Sequence, residues 1–151
     1  MNNVEWTPEW LAETIKLLRT HGSDTQFIEV KKAHGGYPGS LDATLSSFSN
    51  SSTGGIIICG LDENNDFAPV GVYDPADLEK TLGNKLRRGL KPPNTMESGT
   101  ILYEDAKIFV AAVPPLPPYE RPAYIGGKAY VRSGDGDHEM SRHETDLMMA
   151  Q

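Results

Sequence analysis

Hydrophobic positions along this chain form either short continuous runs or stripes at helical spacing. The clearest run is Ile56 to Cys59, four apolar residues with glycines on both sides. An unbroken, largely β-branched run of this length is typical of a strand buried on both faces. We therefore predict a central strand at residues 56–59, followed by a polar strand end at Gly60-Leu61-Asp62.

Helices are predicted where a capping residue or an apolar stripe at spacings of three to four occurs. They begin at Thr7-Pro8, near Leu41, at Asp74-Pro75 and near Ser141. Gly22 would end the first helix, and the polar, small residues 50–54 would end the second. Glu144 stands where it completes a capping box with Ser141.

The remaining strands are predicted from apolar, β-branched or alternating residues between turn formers. They cover residues 27–31, 67–72, 100–103, 107–113, 123–125 and 128–132. Residues 104–106 and Gly126-Gly127 predict hairpin turns, 114–118 a stiff proline-rich connector, and 133–137 an acidic, glycine-rich turn. The expected fold is α+β, with a mixed, mainly antiparallel sheet flanked by about four helices.

Composition limits the class of protein further. The chain has 151 residues, 38% of them hydrophobic, which suits one globular domain with a sizeable core. The single cysteine, Cys59, has no disulfide partner and lies within an apolar run, so we expect a reducing compartment. No stretch approaches the roughly 18 apolar residues that cross a bilayer, and the first ten residues lack signal-peptide features. These features predict a soluble, cytoplasmic chain without a membrane partner.

The formal net charge of -7 argues against a uniformly basic surface that binds nucleic acid. Local basic patches remain, and each is open to a second interpretation as a solvated face. The patches comprise Lys31 and Lys32, and the denser group Lys80, Lys85, Arg87, Arg88 and Lys91.

Two acidic positions are candidates for chemistry. Glu29 and Lys31 share one face of a predicted strand, because side chains alternate along a strand. Asp62 follows the central strand, a common location for ligands, although its Asp- and Asn-rich surroundings equally suit a solvated turn. The glycine-rich loop 33–39 has neither GK[ST] nor GxGxxG, so it gives only weak support to nucleotide binding.

The order of these motifs over about residues 24 to 144 resembles the Schlafen-type AlbA domain. The segments that carry the resemblance are 27–31, 45–55, 60–62, 70–72, 121–124 and 129–134. In prokaryotes this domain commonly precedes a helix-turn-helix region of predicted transcriptional regulators. The resemblance therefore implies the N-terminal part of a longer regulator, or a short member of the family.

The resemblance also implies site residues. In the nuclease-active Schlafen proteins, three acids and a lysine correspond to Asp24, Glu29, Asp62 and Lys31 of this chain, with aspartate at position 24 where the family has glutamate. Three carboxylates can hold Mg²⁺ or Mn²⁺, and such ions activate water for phosphodiester cleavage. Lys31 would then neutralise charge on the phosphate.

The preferred interpretation is a nucleic-acid-binding domain, for DNA or RNA, of a transcriptional regulator. Candidate contacts are Lys31, Lys32, Lys85, Arg87, Arg88, Lys91 and Arg132. The alternatives are a divalent-metal-dependent nuclease that uses Asp24, Glu29 and Asp62, and an ATP-binding regulatory domain, which the family's older label leaves open. A homo-oligomer is compatible with the sequence.

Overall fold

A computed structural model describes residues 3–134 and 136–151 of the chain. Its helices are α1 (Pro8–His21), α2 (Leu41–Asn50), α3 (Pro75–Asn84) and α4 (Arg142–Met149). The predicted caps are confirmed: the Thr7 hydroxyl accepts a hydrogen bond from the backbone N–H of Trp10, and Ser141 and Glu144 form a capping box. Gly22 ends α1 with a φ of 87°, a left-handed conformation that glycine adopts without strain.

In the described residues, ten strands form two four-stranded sheets and one short ribbon. They are β1 (Ile28–Lys31), β2 (Gly55–Cys59), β3 (Leu61–Asp62), β4 (Ala68–Pro69), β5 (Leu90–Lys91), β6 (Glu97–Tyr103), β7 (Ala106–Val113), β8 (Tyr124–Ile125), β9 (Lys128–Ser133) and β10 (Gly136–Glu139). The first sheet has the order β1-β2-β7-β6, the second β10-β9-β8-β5, and β3 pairs with β4. Only the β1–β2 pairing is parallel among the described strands, so the predicted α+β fold with mainly antiparallel sheets is confirmed.

The predicted central strand, β2, lies inside the first sheet and is buried along its whole length. Ile56 and Ile58 pack into the cluster that contains the apolar face of α1. Ile57 and Cys59 point the opposite way, into the cluster formed with α2 and α3. Burial raises the pKa of the Cys59 thiol to about 12, so this cysteine acts as a small apolar side chain.

Helix α2 connects the two four-stranded sheets through a buried polar face. The Ser46 hydroxyl donates to the carbonyl of Ala123 at 2.8 Å and accepts from the N–H of Tyr130 at 2.9 Å. The Asn50 amide accepts from the N–H of Ala123 at 2.7 Å and donates to the carbonyl of Tyr130 at 3.0 Å. These side chains satisfy backbone groups of the second sheet that would otherwise be buried without partners.

Two predicted segments differ from the structure. The strand predicted over residues 67–72 is shortened to β4, because Asp66 and Phe67 have φ angles of 53° and 57°, which interrupt extended backbone. The turn predicted over 133–137 is partly wrong, because Gly136 and Asp137 pair with β9 as the start of β10. Asp135, within that predicted turn, lies outside the described residues.

Within the described part of the chain, every helix is too short or too polar to cross a lipid bilayer.

Candidate functional site

Two of the predicted acids meet beside the start of the first sheet. Asp24 precedes β1 and its Oδ1 accepts from the N–H of Val30 at 3.1 Å, which holds its side chain against the strand. This places the Asp24 carboxyl beside those of Glu29 and Glu63, while the Glu63 carboxylate also accepts from the backbone N–H of Asp24. Both Asp24 and Glu29 are buried, so the Glu29 side chain projects from β1 into the interior.

The proximity of these acids changes the chemistry of Asp24. Desolvation, followed by the hydrogen bond and negative charge of Glu29 and then those of Glu63, raises the pKa of Asp24 from 3.8 to about 9. A buried carboxyl group beside other carboxylates favours its neutral form, because ionisation would place like charges together away from water. At neutral pH, Asp24 therefore carries a proton and acts as a hydrogen-bond donor within the acid cluster.

The negative charge of Glu29 is balanced by an ion pair with Arg132, which reaches it from β9 in the second sheet. Arg132 Nη1 lies 2.5 Å from Glu29 Oε1 and 3.1 Å from Asp137 Oδ1, and its Nη2 donates to the carbonyls of Thr25 and Ile28. The Arg132 side chain is only 2% exposed. It was a predicted nucleic-acid contact, but these partners hold the guanidinium inside the protein, away from solvent.

The remaining predicted site residues are Lys31, which pairs with Glu29, and Asp62, which lies near Lys32 instead. The Lys31 ammonium lies 3.4 Å from Glu29 Oε2, as the shared strand face predicted. Asp62 Oδ1 accepts from the N–H of Asn64 and so caps a 3₁₀ turn at Glu63–Asn65, while Asp62 Oδ2 lies 3.9 Å from the Lys32 ammonium. The structure thus joins Asp24, Glu29 and Lys31, and gives Asp62 a separate ion pair.

These residues do not fit an Mg²⁺ or Mn²⁺ site in the observed arrangement. Over residues 3–134 and 136–151, no group of three His, Cys, Asp or Glu side chains is placed to hold a metal ion. Glu29 is engaged by two cations, whereas a metal requires free carboxylate oxygens. The metal-binding and catalytic roles of Asp24, Glu29 and Asp62 remain predictions.

A separate cationic surface follows α3. This helix continues into a π-helical turn, Lys85–Gly89, which leads directly into β5. Leu86 and Leu90 anchor this stretch in the core, and that leaves Arg87, Arg88 and Lys91 exposed to solvent. We call Lys85, Arg87, Arg88 and Lys91 the basic segment.

Members of the basic segment differ in whether they form an ion pair within the protein. Lys85 pairs with Asp42 of α2 at 3.2 Å and lies 5.4 Å from the centre of the Tyr37 ring. Arg87, Arg88 and Lys91 form no ion pair with any carboxylate in the described part of the chain. These three side chains are therefore the ones available to an anionic ligand, and Lys80, exposed on α3, stands one helical turn before the segment.

Several residues of the acidic cluster were not predicted from the sequence. Glu63 joins Asp24, and Asp137 joins Arg132 while accepting hydrogen bonds from the hydroxyls of Thr44 and Ser47 on α2. The serine-rich motif at 45–53 was a signal for such a partner. Several hydroxyl groups on one helix need hydrogen-bond partners wherever the helix is buried. No comparable local signal indicated Glu63.

The fold and the site together define a small α+β domain with a buried acid–arginine network and a solvent-exposed basic segment. The family model described as Schlafen, AlbA_2 matches residues 24–141. The chain therefore belongs to the Schlafen AlbA_2 family, as its motif order predicted. No match was found among curated proteins.

Two solved structures show the same fold. The N-terminal domain of a RecG-related protein from Nitrosomonas europaea, whose name refers to an ATP-dependent DNA helicase, is 23% identical, with a TM-score of 0.65 over 87% of this chain and 94% of that domain. The DIP2311 protein from Corynebacterium diphtheriae is 15% identical, with a TM-score of 0.62 over 95% of this chain. The match covers 32% of DIP2311, so this fold forms one part of a larger chain there.

Proposed function

We propose that this chain is a nucleic-acid-binding domain that contacts phosphates through its basic segment. The observation that carries the proposal is the exposure of Arg87, Arg88 and Lys91 without carboxylate partners in the described structure. On a chain with a formal net charge of -7, unpaired cations concentrated in one short stretch provide a local site for a polyanion.

The shape of this stretch supports the same proposal. Leu86 and Leu90 hold the π-helical turn and the start of β5 against the core, so the exposed cations project from a fixed backbone. Fixed cations bind phosphates with a smaller loss of conformational entropy than cations on a flexible loop. Contacts of this kind position a protein on nucleic acid without reading its sequence.

Two further observations agree with the proposal. The chain belongs to the Schlafen AlbA_2 family, and the resemblance seen in the sequence implies a domain that in prokaryotes commonly precedes a helix-turn-helix region. One structural neighbour takes its name from a DNA helicase. A role in a transcriptional regulator would follow if the domain is joined to a sequence-reading module.

The proposal is tested by measuring the affinity of the parent and of an Arg87→Ala/Arg88→Ala variant for a random-sequence DNA duplex at several KCl concentrations. Each lost phosphate contact should reduce the salt slope by roughly one unit, so the variant should bind more weakly with a slope lower by about two. Lys85 is left intact because its removal would also break the contact with Asp42.

A matched control removes the same charge elsewhere. Lys16 on α1 and Lys107 on β7 are both exposed and outside the basic segment, so Lys16→Ala/Lys107→Ala changes the net charge equally. We expect this control to retain the parent salt slope. Equal binding by the Arg87→Ala/Arg88→Ala variant and the parent would show that the basic segment is only a solvated surface.

The same preparation can address the two alternative functions. Incubation of labelled DNA and RNA with Mg²⁺ or Mn²⁺ tests cleavage, with Asp62→Ala as the variant that should lose it if the acids are catalytic. Titration with a fluorescent ATP analogue tests nucleotide binding. Neither activity is needed for the proposed binding function.

A further inference from the structure

A cleft beside the basic segment combines aromatic and cationic side chains. It has a volume of about 520 Å³, and its lining includes Lys91, Tyr119, Arg121 and Tyr124 together with Glu120, Met149 and prolines 92 and 122. The basic segment ends at Lys91, so the cleft continues the same surface.

The backbone places a cation next to an aromatic ring on one side of the cleft. Lys91 of β5 is directly opposite Tyr124 of β8 in an antiparallel pair. Side chains of directly opposed residues project from the same face of a sheet and lie within contact range of each other. The cleft therefore presents a phosphate-binding charge and a ring at adjacent positions.

A second ring and a second cation also line the cleft. Tyr119 is 83% exposed. It lies in a 3₁₀ turn, Pro118–Glu120, which follows Pro117 and begins with Pro118. Proline restricts the backbone of this turn. Arg121 donates from Nε to the carbonyl of Leu116 at 2.8 Å, which fixes its guanidinium at the cleft.

Charge and chemistry together indicate the kind of ligand. Among the described residues, Glu120 is the one carboxylate that lines the cleft, against the two cations Lys91 and Arg121. Exposed aromatic rings next to cations are the combination with which proteins bind unpaired nucleotides, because bases stack on the rings while cations contact the phosphates. In a duplex the faces of the bases are covered by their neighbours, so only a single strand can use the rings.

We propose that this cleft binds a segment of single-stranded nucleic acid, with bases stacked on Tyr119 and Tyr124 and phosphates held by Lys91 and Arg121. This inference rests on the proposed nucleic-acid-binding function and specifies its substrate class. The basic segment would bind the phosphates of either form, whereas the two tyrosines would give a preference for unpaired bases.

The test compares a Tyr119→Ala/Tyr124→Ala variant with the parent, using an oligothymidine strand and a random-sequence duplex in fluorescence anisotropy titrations. Stacking on aromatic side chains contributes enough per base that the variant should lose about tenfold or more in affinity for the strand. Its affinity for the duplex should stay within about twofold of the parent, because the phosphate contacts of the basic segment are intact.

Three controls separate stacking from other effects. Tyr119→Phe/Tyr124→Phe keeps both rings and should retain single-strand binding. Tyr73→Ala removes a tyrosine that is 80% exposed and outside the cleft, and it should behave as the parent does. Because Tyr124 is half-buried within β8, circular dichroism verifies folding, and Tyr119→Ala alone decides the question if the double variant is misfolded.

Failure of this inference can be distinguished from failure of the proposed function. If the parent binds both probes but the Tyr119→Ala/Tyr124→Ala variant binds the strand equally well, the cleft proposal is overturned and the basic segment stands. If the parent binds neither probe, both proposals fall. A concentration-dependent dimer that the Tyr119→Ala change abolishes would assign the cleft to a second copy of the chain and would also overturn the proposal.

Discussion

At the scale of single residues, Asp24 shows how burial determines the chemistry of a side chain. Its carboxyl group retains the hydrogen bond from Val30, but Glu29 and Glu63 lie beside it and water is largely excluded. The resulting high pKa keeps a proton on Asp24 at neutral pH when no cation is bound. An aspartate that would be ionised in solvent is thus neutral when it is buried beside other carboxylates.

This state of Asp24 predicts a pH dependence of stability. The folded chain keeps a proton on Asp24 that the unfolded chain releases above its ordinary pKa of 3.8, so the free energy of unfolding should fall as pH rises from about 4 to about 9. Asp24→Asn keeps an acceptor for Val30 and removes the titrating group. We expect the stability of the variant relative to the parent to increase between pH 5 and pH 8, by up to about 1.4 kcal/mol per pH unit.

Urea unfolding at several pH values measures this difference. Asp105→Asn, at an exposed turn position, is the matched control and should leave the pH profile unchanged. Parallel profiles for Asp24→Asn and the parent would contradict a protonated Asp24.

At the scale of secondary-structure elements, β2 organises the core because it contributes side chains to both faces of the first sheet. Ile56 and Ile58 face α1, whereas Ile57 and Cys59 face α2 and α3. At Gly54 and Gly55 the backbone passes so close to its neighbours that a side chain would clash. A Cβ at Gly54 would lie 2.2 Å from the carbonyl oxygen of Val113, and one at Gly55 would lie 2.4 Å from the Phe48 ring. The glycine turn and the apolar run therefore work together.

Replacing Ile57 with alanine should destabilise the protein by about 2–5 kcal/mol, because the fully buried side chain would leave a cavity in a packed core. The measurement is the free energy of unfolding in urea. Leu102→Ala on β6, where the side chain is 63% exposed, provides the control and should change stability by less than about 0.5 kcal/mol. An unchanged midpoint for Ile57→Ala would remove β2 from the core.

At the scale of the whole molecule, Arg132 joins the two large sheets. It extends from β9 to Glu29 of β1, and it also holds Asp137 of β10, whose carboxylate accepts hydrogen bonds from α2. The Arg132 guanidinium lies 5.2 Å from the centre of the Phe48 ring, which places it against the same helix. One buried cation thus connects both sheets and α2.

Arg132→Ala should cost about 3–5 kcal/mol, because it leaves the buried Glu29 with Lys31 as its remaining cation and removes the cation from Asp137. The matched control on the same strand is Lys128→Ala, which breaks an exposed pair with Glu139 and should cost less than about 1 kcal/mol. Both values come from urea unfolding. Adding Glu29→Gln to Arg132→Ala should restore part of the loss, and no recovery would show that the effect is not electrostatic.

The sequence by itself determined the features that depend on neighbouring residues. Caps at Thr7 and Ser141, the hairpin at Gly126-Gly127 and the buried run at 56–59 are all set by local propensity and periodicity, and the structure confirms each. The exposed basic segment belongs to the same group, because Leu86 and Leu90 determine which side of a short stretch faces the core.

Only the tertiary structure decided which polar groups meet in the interior. Glu29 and Arg132 are 103 positions apart, and Asp24 lies 39 positions from Glu63. Their pairing depends on the packing of β1 against the second sheet and on the position of the chain after β3, which no local pattern specifies. Charge states follow from that packing, because desolvation and neighbouring charges exist only once distant segments are brought together. For this reason the sequence identified the acids, and the fold determined that one is protonated and another is bound to a buried arginine.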